Sequence, residues 1–303
     1  MIDIGAEGVS SMSLAIQFII DGILIGSIYS LLAVSIVAVF KSTAVFNFAV
    51  GQMLVLGGFF AWSFLSWFHL NLWVSLALSM VASAVLGYAV QRFIFDRLIG
   101  QPLFALFGTS LALGVFLSGI MILVWGSISL PFPEKLLPVG SIALAKFGLS
   151  KGLLAGFAVA MVFLVVLSFF YYRTGYGLEM RATAEDHQLA RATGVRAKKI
   201  FAMTWAVGAV TATIAGIILG DRLGLTVGSL PAVAVRAFPA VLLGGLESIP
   251  GAVIGGLIVG VTESLVGGLI SSRAADISPF VVLLLILLIR PTGLFGLERI
   301  DRI

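Results

Sequence analysis

Residues 173–199 read RTGYGLEMRATAEDHQLARATGVRAKK and form a long charged interruption in a sequence that is otherwise strongly apolar. The chain has 303 residues, of which 60% are hydrophobic and 11% are charged, and its mean hydropathy is +1.17. A water-soluble domain could not bury this much apolar surface, whereas a helical protein with several membrane spans exposes it to lipid. The composition indicates a polytopic membrane protein, and the charged segment is where a soluble partner could bind.

The apolar runs predict an all-α fold. A helix needs about 20 mainly apolar residues to cross a hydrocarbon core that is roughly 30 Å thick. The runs lack the alternation of apolar and polar residues that marks a strand of a transmembrane barrel. We therefore predict a single transmembrane domain, residues 1–303, with roughly eight to ten helices. The predicted spans lie near residues 16–40, 46–68, 72–94, 103–125, 153–172, 200–220, 233–246, 252–269 and 280–289.

The basic residues predict the orientation, because short loops that carry Lys and Arg stay in the cytoplasm. They fall on one side of the predicted topology if the N-terminus starts outside the cell, which gives an N-out, C-in arrangement. These residues are Lys41, Arg92, Arg97, those of the 173–199 segment, Arg290, Arg299 and Arg302.

Two further segments depart from simple spans. Residues 126–151 lie outside in this topology, and their prolines and alternating apolar residues predict a small extended or hairpin cap loop facing the periplasm. The run 233–246 is short for a span, and it is followed closely by glycines and Pro250. We expect the chain to break or re-enter the membrane there.

Within the charged segment, residues 178–193 can form an amphipathic helix, which Gly194 would end. A short helix of this kind, lying between two spans, suits a groove on a peripheral protein. The alternative is a solvated basic loop that only sets the topology.

Five motifs are distributed along nearly the whole chain: DGILIGSIYSLLAVSI (21–36), VFNFAVGQMLVLGGFFAW (45–62), AEDHQLARATGVRAKKIFAMTWAVGAVTATIAGIILG (184–220), FPAVLLGGLESIPGAVIGGLIVGVTESL (238–265) and RPTGLFG (290–296). In this order they resemble the permease of the branched-chain amino acid type of bacterial ABC importer, and in particular its shorter permease subunit.

The resemblance implies a multi-pass protein of the bacterial inner membrane. Its implied partners are a second related permease, two ATP-binding cassette subunits and a periplasmic substrate-binding protein. Residues 173–199 would then be the cytoplasmic coupling loop. The residues expected to couple to the ATPases are Glu185, Asp186, Leu189, Ala190, Arg191 and Gly194.

The sequence lacks the GxxxxGK[ST] phosphate loop, so we expect the partner ATPases to use ATP and Mg²⁺. We expect this chain to bind no cofactor, metal or nucleic acid and to catalyse no reaction.

Polar residues inside spans are costly and usually face the protein interior or a water path. On this ground we take five residues as candidates for the translocation pathway. Asp21 could equally lie at the outer interface, Asn47 could cap the second span, and Arg236 could pair with Glu263 across helices. The fifth candidate is Gln52, which lies on the same helical face as neighbouring apolar residues. At the outer end of a span, we expect Asp221 to meet the binding protein or lipid headgroups.

The family pattern has a histidine and an acidic residue at the positions of Val50 and Gln52. This chain has neither the histidine nor the acidic residue. We therefore expect a cargo other than a standard branched-chain amino acid, namely a small amino acid, amide or organic acid, selected mainly by the binding protein. The rival hypothesis is an ion-coupled secondary transporter or channel, in which Asp21, Arg236 and Glu263 would form a relay.

Overall fold

The computed structural model describes residues 11–144, 147–185 and 187–296. Almost all secondary structure in this part of the chain is helical. The helices are α1 (Ser11–Thr43), α2 (Val50–Ser66), α3 (Leu72–Phe93), α4 (Leu103–Trp125), α5 (Lys151–Arg173), α6 (Gly175–Glu185), α7 (His187–Ala192), α8 (Ala197–Leu223), α9 (Leu230–Val235), α10 (Ala237–Gly244), α11 (Ile249–Leu269) and α12 (Ser272–Ile289), with a short 3₁₀ turn at Phe95–Arg97 and a hairpin of β1 (Ser141–Leu144) and β2 (Phe147–Ser150).

Seven of the described helices, α1, α3, α4, α5, α8, α11 and α12, are long and apolar enough to cross a membrane. Two shorter apolar segments accompany them, α2 and the region Leu230–Gly244 that contains α9 and α10. The protein is therefore an all-α, multi-pass membrane protein, as the composition predicts. The break expected in the run 233–246 is present, because α9 and α10 are separate short helices that meet at Arg236.

Helices α1 and α8 lie at the centre of the molecule. Both are largely buried, whereas fewer than a third of the residues in the apolar stretches of α3, α4, α5, α11 and α12 are buried. The buried hydroxyl groups of the central helices donate to carbonyl oxygens of the preceding turn, for example Ser27 to Leu24 at 2.7 Å and Thr211 to Val207 at 2.8 Å. This back-bonding satisfies polar groups that have no access to water.

Helix α1 packs most extensively against α11 through small residues. A methyl group added to Gly22 would lie 2.5 Å from the Val261 Cα, and one added to Gly260 would strike the backbone of Gly22 and Gly26. The Ser30 hydroxyl donates across the contact to the carbonyl oxygen of Val253 at 2.8 Å. Glycines spaced four residues apart thus bring two backbones together, as small residues do between membrane helices.

A second glycine face of α11 packs against α10. Methyl groups on Gly251 and Gly255 would strike the carbonyl oxygens of Gly244 and Ala240, respectively. The two faces explain why the sequence of α11 carries so many glycines: one face meets α1 and the other meets α10.

The RPTGLFG motif closes the end of α10. Backbone amides of Leu294 and Phe295 donate to the carbonyl oxygens of Leu243 and Gly244, at 2.8 and 3.2 Å. These carbonyls belong to the last turn of the helix, which has no intrahelical donors for them. Gly245 follows with a φ of +98°, a left-handed conformation that suits glycine.

The loop between α4 and α5 forms a hairpin, as predicted. Strands β1 and β2 are antiparallel, and the isolated bridge between Leu130 and Leu225 attaches the start of the loop to the end of α8. Asp221 holds the middle of the loop, because its carboxylate accepts from the backbone amides of Leu136 at 2.9 Å and Leu137 at 3.3 Å. Asp221 is only 5% exposed, so the expectation that it meets a partner or headgroups is wrong.

We predict that Gly260→Leu destabilises the fold by at least about 2 kcal/mol, since the atoms that meet the new side chain are backbone and cannot change rotamer. The matched control is Gly119→Leu in α4, where an added methyl meets no atom within 4 Å. Thermal unfolding in detergent measures both. Equal melting temperatures for the two variants would contradict the close contact of α1 and α11.

Candidate functional site

Four polar side chains from different parts of the chain form one network beside the break between α9 and α10. Arg236, which lies at the break, donates from one terminal nitrogen to the Glu263 carboxylate and from the other to Asp276 Oδ1, the latter at 2.7 Å. The Tyr29 hydroxyl donates to the second oxygen of Glu263 at 2.6 Å. The network therefore connects α1, the α9–α10 break, α11 and α12.

Burial within this network decreases from Tyr29 toward Asp276. Tyr29 is 2% exposed, and the side chains of Glu263, Arg236 and Asp276 are 14%, 29% and 60% exposed. A planar guanidinium matches two carboxylates at once, which suits it to holding several helices together. Both terminal nitrogens of Arg236 are engaged by the protein, so the structure supports the pairing with Glu263 that the sequence left open.

Gln52 lies at a small cavity beside the broken segment. The cavity has a volume of about 110 Å³ and lies between the start of α2 and α9. Phe48, Val235 and Phe238 also line it, and the rings of Phe48 and Phe238 lie 5.3 Å apart. Val235 directly precedes Arg236 in the chain, so the cavity and the ionic network share the α9–α10 segment.

The other two pathway candidates lie elsewhere. Asn47 is buried, and its side-chain oxygen accepts from the Ala49 amide at 3.1 Å in the turn before α2, whose N-cap residue, Ala49, has no side-chain capping bond. Asp21 is partly exposed and lies close enough to Arg222 for their charges to interact. The structure thus brings Arg236 and Glu263 together, places Gln52 nearby, and leaves Asn47 and Asp21 apart from them.

Sequence reasoning missed Tyr29 and Asp276. The sequence could have indicated Asp276, since it is an acidic residue close to the start of an apolar helix. Nothing in the sequence indicates a role for Tyr29, because a tyrosine in a span is common and only the fold places it beside Glu263.

Within the charged segment, Gly175–Glu185 (α6) and His187–Ala192 (α7) are helical, and the two ranges include most of the helix predicted over 178–193. Gly194 ends α7 as predicted, with a φ of +92° and a bond from the Val195 amide to the Ala190 carbonyl at 3.1 Å. This 6→1 bond across a left-handed glycine is a Schellman motif. Asp186, between the two helices, lies outside the described residues.

The coupling candidates do not share one surface. Glu185 and Gly194 are exposed, and Leu189 is 68% exposed. Ala190, also in α7, is only 4% exposed. The structure describes Arg191 only as part of the α7 backbone.

A cleft of about 390 Å³ lies next to α7, between the start of α8 and the turn that follows α3. Gly194, Arg196, Lys198 and Ile99 are among its lining residues. The cleft therefore combines an exposed helix end with basic side chains. Among the described residues, no group of three or more His, Asp or Glu side chains could hold a metal ion.

Comparison with known proteins relates this multi-pass chain to a family of transport permeases. Residues 18–290 match the family described as "Branched-chain amino acid transport system / permease component". The chain is 28% identical to the high-affinity branched-chain amino acid transport system permease protein BraD of Pseudomonas aeruginosa, over 95% of this chain and 98% of the relative. It is 26% identical to the permease protein LivH of Escherichia coli K12, over 95% and 97% of the two chains.

A probable branched-chain amino acid transport permease protein LivH of Methanocaldococcus jannaschii is 25% identical over 93% of each chain. The printed names of these relatives describe transport permeases, and the family match over residues 18–290 includes the residues of the ionic network and of the glycine contacts. The chain belongs to the family of permease components of branched-chain amino acid transport systems.

Proposed function

We propose that this chain is a permease subunit of an ATP-driven ABC importer in the bacterial inner membrane. It would pair with a second related permease, bind two ATP-binding cassette subunits and receive its cargo from a periplasmic binding protein. The family membership supports the proposal, since the relatives named above are permease components of transport systems. The cargo would be a small amino acid, amide or organic acid.

The observation that carries the proposal is the direct connection between α7 and α8. The exposed helix α7 ends just before Gly194, and α8 begins three residues after this glycine and continues for 27 residues, about 40 Å, through the centre of the protein. At its far end Asp221 holds the loop between α4 and α5. A force applied to α7 would therefore be transmitted across the whole thickness of the membrane.

The proposed topology is N-out and C-in. Counting α2 and the broken Leu230–Gly244 segment with the seven long helices gives nine crossings in the described chain, within the expected eight to ten. This topology puts the coupling loop, 173–199, and the cleft beside Gly194 in the cytoplasm. The cap loop, 126–151, would then face the periplasm.

Alternating access follows from these placements. Closure of the two ATPases would push on α7 through Glu185, Leu189 and the region of Gly194, and α8 would reorient the permease pair. Cargo would pass between the two permeases along the face that carries the Gln52 cavity. The Arg236 network would hold the broken segment at this face in a defined position.

The experiment that tests the proposal is to tag the chain in its native host, extract it in mild detergent and identify co-purifying proteins by mass spectrometry. Recovery of ATPases and a second permease supports the importer. A chain that purifies alone and carries out ion-driven flux in liposomes would contradict it and favour a secondary transporter.

We predict that Glu185→Lys combined with Leu189→Ala abolishes ATP-driven uptake and releases the ATPases from the purified complex, because both side chains are exposed on the α6–α7 surface. The matched control is Glu134→Lys, a charge reversal at an exposed position in the loop between α4 and α5. Wild-type uptake in the double variant would count against a coupling role for this surface.

We predict that Glu263→Gln destabilises the protein by about 1–3 kcal/mol, because a partly buried Arg236 loses its inner carboxylate. Combining it with Arg236→Gln should restore most of this stability, since no buried charge is left unpaired, while uptake stays low because the broken segment is no longer held. Asp276→Asn, at a 60% exposed side chain, is the control and should change stability little. Full uptake by the stable double variant would show that the network serves the fold alone.

A further inference from the structure

An apolar groove of about 240 Å³ lies between α3, α5 and α8. All of its lining side chains are apolar, including Phe163, Phe170 and Val166 on α5 and Val207 on α8. Val166 is 55% exposed, so the groove opens to the outside of the protein. All three helices are long enough to span the membrane, which places the groove at the depth of the hydrocarbon core.

Tyrosines mark where this depth ends. Tyr172 and Tyr176 are 48% and 43% exposed and lie within two turns of Phe170, at the junction of α5 and α6. Exposed tyrosines collect at the membrane–water interface, where the ring is apolar and the hydroxyl is hydrated. The end of the groove near Phe170 therefore lies close to the headgroup layer.

Basic side chains stand at this same end. Arg173 follows Phe170 by three residues and so lies on the same side of α5. Lys199 lies seven residues before Ala206, a groove residue, on the same face of α8 and about 10 Å further along the helix axis. The Lys199 ammonium lies 5.6 Å from the centre of the Tyr176 ring.

A polar cleft of about 480 Å³ surrounds Lys199. Tyr176, Arg196, Lys199 and one acidic residue, Glu179, are among its lining residues. The cleft thus has two basic groups and one carboxylate, so its net charge is positive, and Arg173 at the end of α5 adds a third basic residue at this end of the groove. An apolar groove at hydrocarbon depth thus leads toward a cationic cleft at headgroup depth.

We propose that the groove and the cleft together form a binding site for an anionic phospholipid of the phosphatidylglycerol type. One acyl chain fills the groove along α5 and α8. The phosphate lies between Arg173 and Lys199, where juxtamembrane basic residues attract anionic headgroups. The hydroxyl groups of the glycerol headgroup can donate to Glu179.

Charge complementarity favours a lipid over a protein in this groove. A soluble protein cannot reach side chains at hydrocarbon depth, and an apolar helix of a second permease would gain nothing from a cationic rim. The inference needs only a protein that spans the membrane, so it stands independently of the proposed transport role.

The first test adds either phosphatidylglycerol or phosphatidylethanolamine to the full chain in detergent. Native mass spectrometry then measures how much of each lipid stays bound to the protein. We expect tighter binding of phosphatidylglycerol, and we expect Arg173→Gln with Lys199→Gln to weaken it by about fivefold for each charge removed. Phosphatidylethanolamine binding should not change in this variant. Lys151→Gln, at the opposite end of α5, is the matched control and should bind phosphatidylglycerol as the wild type does.

The second test fills the groove. Ala206→Trp should weaken binding of both lipids, whereas Val165→Trp, at a 63% exposed position of α5 outside the groove, should not. Unchanged phosphatidylglycerol binding in the Arg173 and Lys199 double variant would overturn the proposal. So would an Ala206→Trp protein that keeps its lipids but no longer co-purifies with a second permease, because the groove would then be a protein interface.

Discussion

The contact between α1 and α11 is the constraint on which the rest of the structure depends. Gly22, Gly26 and Gly260 allow the two backbones to touch, and the touching helices set Tyr29 beside Glu263. Glu263 in turn binds Arg236 at the break between α9 and α10. A bulkier side chain in the contact would separate α1 from α11 and move each of these groups.

The broken segment can exist in a membrane because the backbone groups where it ends, and those where the next helix begins, have hydrogen-bond partners. The last carbonyls of α10 accept from Leu294 and Phe295, and α11 begins with Ser248 capping the Gly251 amide at 3.0 Å. Unpaired backbone groups cost several kcal/mol in lipid, so a break without these partners would not be stable. The resulting surface beside Gln52 combines an irregular backbone with a small cavity, which helical spans alone would not provide.

Much of the fold could be predicted from the sequence because it depends on local signals. Hydropathy indicates the spans, Gly194 marks the end of α7, and the glycines around Gly245 indicate the broken segment. The network and the position of Asp221 could not be predicted, since they depend on which helices become neighbours. The Asp221 carboxylate binds amides of the loop between α4 and α5, 84 and 85 residues earlier in the chain, and no local pattern encodes such a contact.

The α1–α11 contact can be measured directly because the chain contains no cysteine, so an introduced pair is the only pair present. We would introduce Ser30→Cys with Val253→Cys, since the Ser30 hydroxyl lies 2.8 Å from the backbone carbonyl oxygen of Val253, and measure cross-linking in native membranes with a short thiol-specific reagent. The comparison pair is Ser30→Cys with Val281→Cys, on the exposed side of α12. Rapid cross-linking of the first pair and none of the second is the predicted result. Equal cross-linking of the two pairs, or no cross-linking of the first, would contradict the contact on which the network and the broken segment depend.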